Sequence, residues 1–136
     1  MRSSCLALLL VFLLVGCEKK RTPCTYEIPE GFTGWVQIAF GRTNCPPLSK
    51  KDEKLVFKIG SDGRFCTSSP PEYGWAKDAY YYVGRSRTEL RSTGWGGGGL
   101  IWGGSIGGAS GEPGTHETFF VGTEAQFQHA SRAPIP

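Results

Sequence analysis

The chain has 136 residues, with 15 basic side chains against 12 acidic ones and a net charge of +3. The charges are scattered and near balance, which argues against a nucleic-acid binder, whose footprint is a basic patch or stripe. The length suits one domain that buries a core large enough to fold without a metal or dense disulfides.

In chain order, the first element is Met1-Arg2-Ser3-Ser4-Cys5 followed by ten unbroken apolar residues, 6–15. A membrane-spanning helix needs about 20 such residues. A short basic start, a short apolar run and a small residue at its end instead predict an export signal. The run closes on Leu14-Val15-Gly16-Cys17. This resembles the lipobox of bacterial lipoproteins, which implies cleavage between Gly16 and Cys17 and acylation of Cys17. Residues 1–16 are then the signal and 17–25 a lipidated tether. The protein is expected in the cell envelope, facing outside the cytoplasm. Glu18 stands where an aspartate marks inner-membrane retention in such lipoproteins, which favours the outer membrane in a two-membrane cell. Removing the signal leaves 120 residues with 14 basic against 12 acidic side chains, a net charge of +2. Lys19-Lys20-Arg21 then lies beside the lipid, where anionic headgroups attract basic residues.

Strand signals dominate the rest, and residues 26–130 are taken as the domain. Residues 25–28 are extended and stop at Pro29. Residues 30–34 carry turn chemistry. Residues 35–40 alternate, with Val36, Ile38 and Phe40 on one face and Trp35, Gln37 and Ala39 on the other. A polar loop covers 41–53. Residues 55–59 form the next strand. Gly60-Ser61-Asp62-Gly63 has the length and glycines of a hairpin turn leading to a partner strand over 64–67. Ala79-Tyr80-Tyr81-Tyr82-Val83 is strongly β-prone, and 84–91 add a turn and a short strand. Glycine then takes over: 11 of the chain's 20 glycines fall between Gly94 and Gly114. A last strand covers 118–121. Thr123 and Gln126 match a capping box, predicting a short helix from 124 to about 130. Residues 131–136 are expected to fray.

Short strands, Gly/Pro turns and scant helical periodicity predict an all-β fold, a small antiparallel β-sandwich with one C-terminal helix and a Gly-rich loop. Three segments carry a resemblance over nearly the whole domain. They are Tyr26-Glu27-Ile28-Pro29-Glu30-Gly31-Phe32-Thr33-Gly34-Trp35-Val36, then Thr67-Ser68-Ser69-Pro70 with Gly74-Trp75-Ala76-Lys77-Asp78, and Phe119-Phe120-Val121-Gly122-Thr123-Glu124. In order and spacing they resemble a family of bacterial exported domains of unknown function. The resemblance implies no activity and no site residues. The strand and turn pattern is also similar to transthyretin- and immunoglobulin-like sandwiches, a likeness that carries no function.

Candidate chemistry is sparse. With Cys5 lost and Cys17 acylated, Cys24, Cys45 and Cys66 remain in an oxidising compartment, enough for one disulfide. Cys45 and Cys66 each follow a predicted strand and are the favoured pair. The spacing fits no zinc knuckle, and no metal or cofactor is expected. The glycine tract lacks the Lys-Ser/Thr that a phosphate loop needs. No Gly-x-Ser-x-Gly occurs, and His116-Glu117 point to opposite faces of a strand. The chain is therefore expected not to be an enzyme, a hydrolase being the least favoured reading. The aromatic excess points to recognition. Trp95, Trp102 and Tyr81 are the candidate surface for an unidentified envelope protein or glycan. The alternative is an immunity or inhibitor lipoprotein against a toxin or lytic enzyme.

Overall fold

The computed structural model describes residues 19–94, 97–108 and 114–133. Ten strands and one helix follow in order: β1 Cys24–Pro29, β2 Gly34–Ala39, β3 Ser49–Lys51, β4 Lys54–Lys58, β5 Arg64–Cys66, β6 Ala79–Val83, β7 Arg87–Leu90, β8 Gly97–Gly98, β9 Ile101–Gly107, β10 His116–Val121 and α1 Glu124–His129. They make two five-stranded sheets, ordered β3-β4-β1-β6-β7 and β5-β2-β10-β9-β8. The chain crosses between the layers repeatedly, and the expected all-β sandwich is what forms.

The expected wholly antiparallel pairing does not hold. β1 runs parallel to both β4 and β6, and β2 runs parallel to β5. The reason is the crossing pattern. Consecutive strands such as β1 and β2 enter different sheets, so their neighbours arrive later and in the same direction. The Gly60–Gly63 turn is likewise no hairpin. The turn itself forms, closed by bonds between Gly60 and Arg64 and between Gly63 and Gly60. But β5 leaves it to pair with β2, through Gln37↔Arg64, Ile38↔Phe65 and Ala39↔Cys66. A local turn signal sets the reversal and not the partner.

The core lies between the sheets. Val36, Ile38 and Phe40 face it from the second sheet, as their alternation requires, joined by Phe119, Val121 and Ile101. The first sheet contributes Tyr26, Ile28, Phe57, Ile59, Tyr80 and Leu90. On β6 the period of two buries Tyr80 and turns Tyr81 outward.

The glycine tract, expected as a Gly-rich hairpin or loop, holds β8 and β9, which pair antiparallel. β9 pairs with β10, with a register shift that sets Thr118 opposite Ser105 but Phe120 opposite Trp102. Gly103 and Gly104 are therefore matched by one residue, a β-bulge. Gly103 takes φ +60°, and a Cβ there would lie 2.9 Å from the Phe127 ring. Only glycine fits. The bulge also lets Ile101 and Ile106, five positions apart, both face the core side of β9, which simple alternation forbids.

Helix α1 closes the outer face of the second sheet. Its capping box forms as predicted, with Thr123 Oγ1 accepting from Gln126 N–H and the Gln126 side chain accepting from Thr123 N–H. Six residues are too few for a helix to persist alone. Packing holds it: Phe127 stacks on Trp102 at 5.8 Å and meets Trp35 edge-on at 5.9 Å. Ser131, assigned to a frayed tail, accepts a 2.8 Å bond from Trp35 Nε1.

Candidate functional site

The register of β1 builds the base of the site. Tyr26 lies level with Phe57 on one side and Tyr80 on the other. In a sheet, side chains at one level on neighbouring strands stand side by side. The three rings stack, at 4.9 Å and 4.8 Å between centroids. Phe119 of the opposite sheet meets Tyr26 and Tyr80 edge-on at 5.3 and 5.4 Å. Two residues before Phe119, on the same face of β10, Glu117 also enters the interior and is 5% exposed. The Tyr26 hydroxyl donates to Glu117 Oε1 at 2.8 Å.

Above this base is a cavity of about 710 Å³. Buried Tyr26, Phe57, Phe40, Tyr80, Cys24 and Glu117 form its floor. Leu48, Leu55 and Ile106 add apolar wall. The volume falls within the range of small-molecule sites, which are mostly apolar with a few placed polar groups. Tyr73 and Trp75 stand at the mouth, 55% and 61% exposed.

The mouth is a fixed structure. Residues 70–78 form a loop strapped to residues 19–24. Trp75 N–H donates to the Lys19 carbonyl at 2.9 Å, and Arg21 N–H to the Trp75 carbonyl at 3.2 Å. The Arg21 guanidinium gives two bonds to the Asp78 carboxylate, at 2.9 and 2.6 Å, and one to the Gly74 carbonyl at 3.1 Å. Asp78 Oδ1 also accepts the Cys24 N–H, and Glu72 Oε2 accepts the Thr22 N–H, both at 2.9 Å. Gly74 sits at φ +136°, and a Cβ there would lie 2.2 Å from the Lys19 carbonyl oxygen. The segment expected as a tether, 17–25, is thus part of the folded body from residue 19 onward.

The electrostatics follow from burial. The bond to Asp78 raises the Arg21 pKa further, so its guanidinium stays charged. Burial, then the charge of Asp78, pushes the Cys24 thiol up to about 12. At neutral pH it is a protonated and therefore poor nucleophile. Burial also raises Tyr26 and Tyr80. The Thr22 N–H holds Glu72 below the usual carboxylate value. Away from the cavity, partial burial and then Arg42, 3.1 Å away, lower His116. Among the described residues no cluster of three or more His, Cys, Asp or Glu could hold a metal ion.

The expected site residues are dispersed. Trp102 is half-buried under α1, its Nε1 donating to the Gly122 carbonyl at 3.0 Å. Tyr81 lies on the outer face of the other sheet, under the Arg87 guanidinium at 4.0 Å. Arg87 also pairs with Glu27 at 2.7 Å. Trp102 and Tyr81 therefore share no surface, because the sandwich stands between them. Trp95, Gly16 and Cys17 lie outside the described residues. Cys45 and Cys66 form the disulfide, and Cys24 is a buried free thiol. Sequence marks Trp75 only as one of the aromatics in a family-like segment and Glu117 only as the neighbour of His116, and it does not pair Arg21 with Asp78. The available signal was Gly74-Trp75 preceding Lys77-Asp78, an aromatic between turn and charge.

A family model described as a family of unknown function, DUF6843, matches residues 20–130. No curated protein matches the chain. A crystal structure of a candidate lipoprotein from Bacillus anthracis is similar in fold, with TM-score 0.62 and 23% identity, covering 85% of this chain and 81% of that one.

Proposed function

This chain belongs to the DUF6843 family of unknown function, and from that premise we propose that it is an extracytoplasmic lipoprotein, anchored through Cys17, whose sandwich is a non-catalytic module that takes a small amphipathic molecule between its sheets. The cavity carries this reading. Its apolar lining includes Phe40, Leu48, Leu55, Phe57 and Ile106, and polar groups gather at Glu117 and Tyr26. Such a lining suits a molecule with an apolar body and one polar end. The ten-residue apolar run ending in Gly16-Cys17 supports the anchor, and the similar Bacillus anthracis protein is described as a candidate lipoprotein. Recognition is assigned to the cavity and its rim rather than to Trp102 and Tyr81, which pack against their own sheets.

The test uses isolated envelopes carrying the full chain. A diazirine-bearing decanoic acid is added and photolysed, and the adducts are mapped. Adducts should fall in the cavity-lining segments, and Ile106→Trp, which fills the cavity, should lower their yield severalfold. Adducts confined to the outer faces, or indifferent to Ile106→Trp, would overturn the cavity reading. Metabolic labelling with an alkyne fatty acid should be lost in Cys17→Ser; persistent labelling would overturn the anchor.

A further inference from the structure

The two most exposed large apolar side chains of the described residues are Trp75 and Tyr73. Both belong to the loop at the cavity mouth. That loop is held by main-chain bonds to Lys19 and Arg21. Lys19 is only two residues beyond Cys17. Two residues of fully extended chain span at most about 7 Å. An acyl group on Cys17 therefore cannot hang the sandwich on a long leash. It brings the Trp75 backbone to within roughly a nanometre of the bilayer that holds the lipid.

The chemistry of this end fits that surface. Trp and Tyr present an apolar body with a polar edge and settle at the headgroup level of membranes. Lys19, Lys20 and Lys77 are exposed beside them. Of the carboxylates at the same end, Asp78 is paired with Arg21, while exposed Glu72 accepts the neutral Thr22 N–H and keeps its charge, one anion against three ammonium groups. Three ammonium groups near one aromatic pair complement anionic headgroups, each contributing a factor of about five in binding.

We infer that the 70–78 loop docks on the membrane, with Trp75 and Tyr73 among the headgroups, Lys19, Lys20 and Lys77 facing anionic lipid, and the cavity mouth opening onto the bilayer. This rests on acylation of Cys17 as proposed above. It identifies the source of the cavity's ligand as the membrane itself. A molecule leaving the leaflet enters at the Tyr73 and Trp75 end of the cavity, whose lining also includes Ser92, Thr93 and Gly94, without crossing bulk water.

The experiment uses the acylated full-length product, purified from membranes and reconstituted into vesicles of phosphatidylcholine and phosphatidylglycerol with brominated acyl chains. Tryptophan emission should be quenched, and the quenched component should disappear in Trp75→Phe, an exposed position where the substitution leaves the fold intact. Lys20→Gln with Lys77→Gln should lower the docked-to-undocked ratio about 25-fold in these vesicles and leave it unchanged in pure phosphatidylcholine. An acylated protein whose quenching does not depend on Trp75 would overturn the docking while leaving the anchor in place. Mass spectrometry finding no acyl group on Cys17 would overturn both.

Discussion

Tyr26 and Glu117, 91 residues apart, meet inside the sandwich, where the Tyr26 hydroxyl donates a 2.8 Å hydrogen bond to Glu117 Oε1. The bond ties the central strand of one sheet to the other sheet at the floor of the cavity. Losing one partner of a buried bond leaves the other group to bear its desolvation, about 1–3 kcal/mol. Tyr26→Phe is therefore expected to lower unfolding free energy by about that amount while keeping the Phe57–Tyr80 ring row filled. Urea unfolding measures it. A double-mutant cycle with Glu117→Gln should show coupling, and additive effects would mean that the bond carries no weight.

Asp78 holds the cavity mouth through Arg21, with side chains only 8% and 15% exposed. It also accepts the Cys24 N–H, so one carboxylate secures both the loop and the start of β1. Asp78→Asn keeps the shape and removes the charge. A well-buried pair loses several kcal/mol when broken and an exposed one almost nothing, so a loss on the order of 2 kcal/mol is expected here. The local effect is the sharper measure. Hydrogen exchange at the Trp75 and Arg21 amides should speed up more than exchange in β10. Uniform acceleration would show that Asp78 acts on global stability and not on the loop.

Alkaline sensitivity follows from the buried thiol and phenols. Cys24 moves from 9.0 to about 12 on folding, and Tyr26 and Tyr80 also rise. The folded state keeps protons that the unfolded state has released, so stability is complete below pH 9 and falls as pH climbs from 9 towards 12. Denaturant midpoints should be level near neutrality and drop above pH 9, and Cys24→Ala should remove the earliest part of the drop. A flat profile through this window would contradict the burial of these groups. At the acid end the lowered His116 has the same sign of preference for its neutral form, giving stability that is lost as pH falls below 6.5.

Much of the framework was legible because it is local. The alternation of residues 35–40 gave the buried face of β2, and Thr123 with Gln126 gave the start of α1. β3 and the full extent of β9 are not legible in the sequence, for different reasons. Ser49–Lys51 is an exposed edge strand with no apolar face to betray it. β9 contains a bulge at Gly103, which breaks the period of two. The cavity was illegible because its floor joins Cys24, Tyr26, Tyr80 and Glu117 from strands of two sheets. Nothing near Glu117 in sequence distinguishes an inward glutamate from an outward one until β10 is placed in register with β2 and β9.

The fate of the segment after Cys17 divides the two sources of information. Local chemistry, a ten-residue apolar run closing on Gly16-Cys17, was enough to predict export and an acyl anchor, because that signal is set by a continuous stretch of chain. It was also enough to predict strands and the helix cap, which depend on neighbours in sequence. Whether Lys19 to Cys24 hang free or form the wall of a site depended on Asp78, Gly74 and Trp75, more than fifty residues away. Only tertiary structure decides that, since an ion pair and a main-chain bridge between distant segments leave no periodic mark on either. The same holds for Trp102 and Tyr81: composition marked both as aromatic, and only the placement of two sheets and one helix put them back to back and left Trp75 exposed.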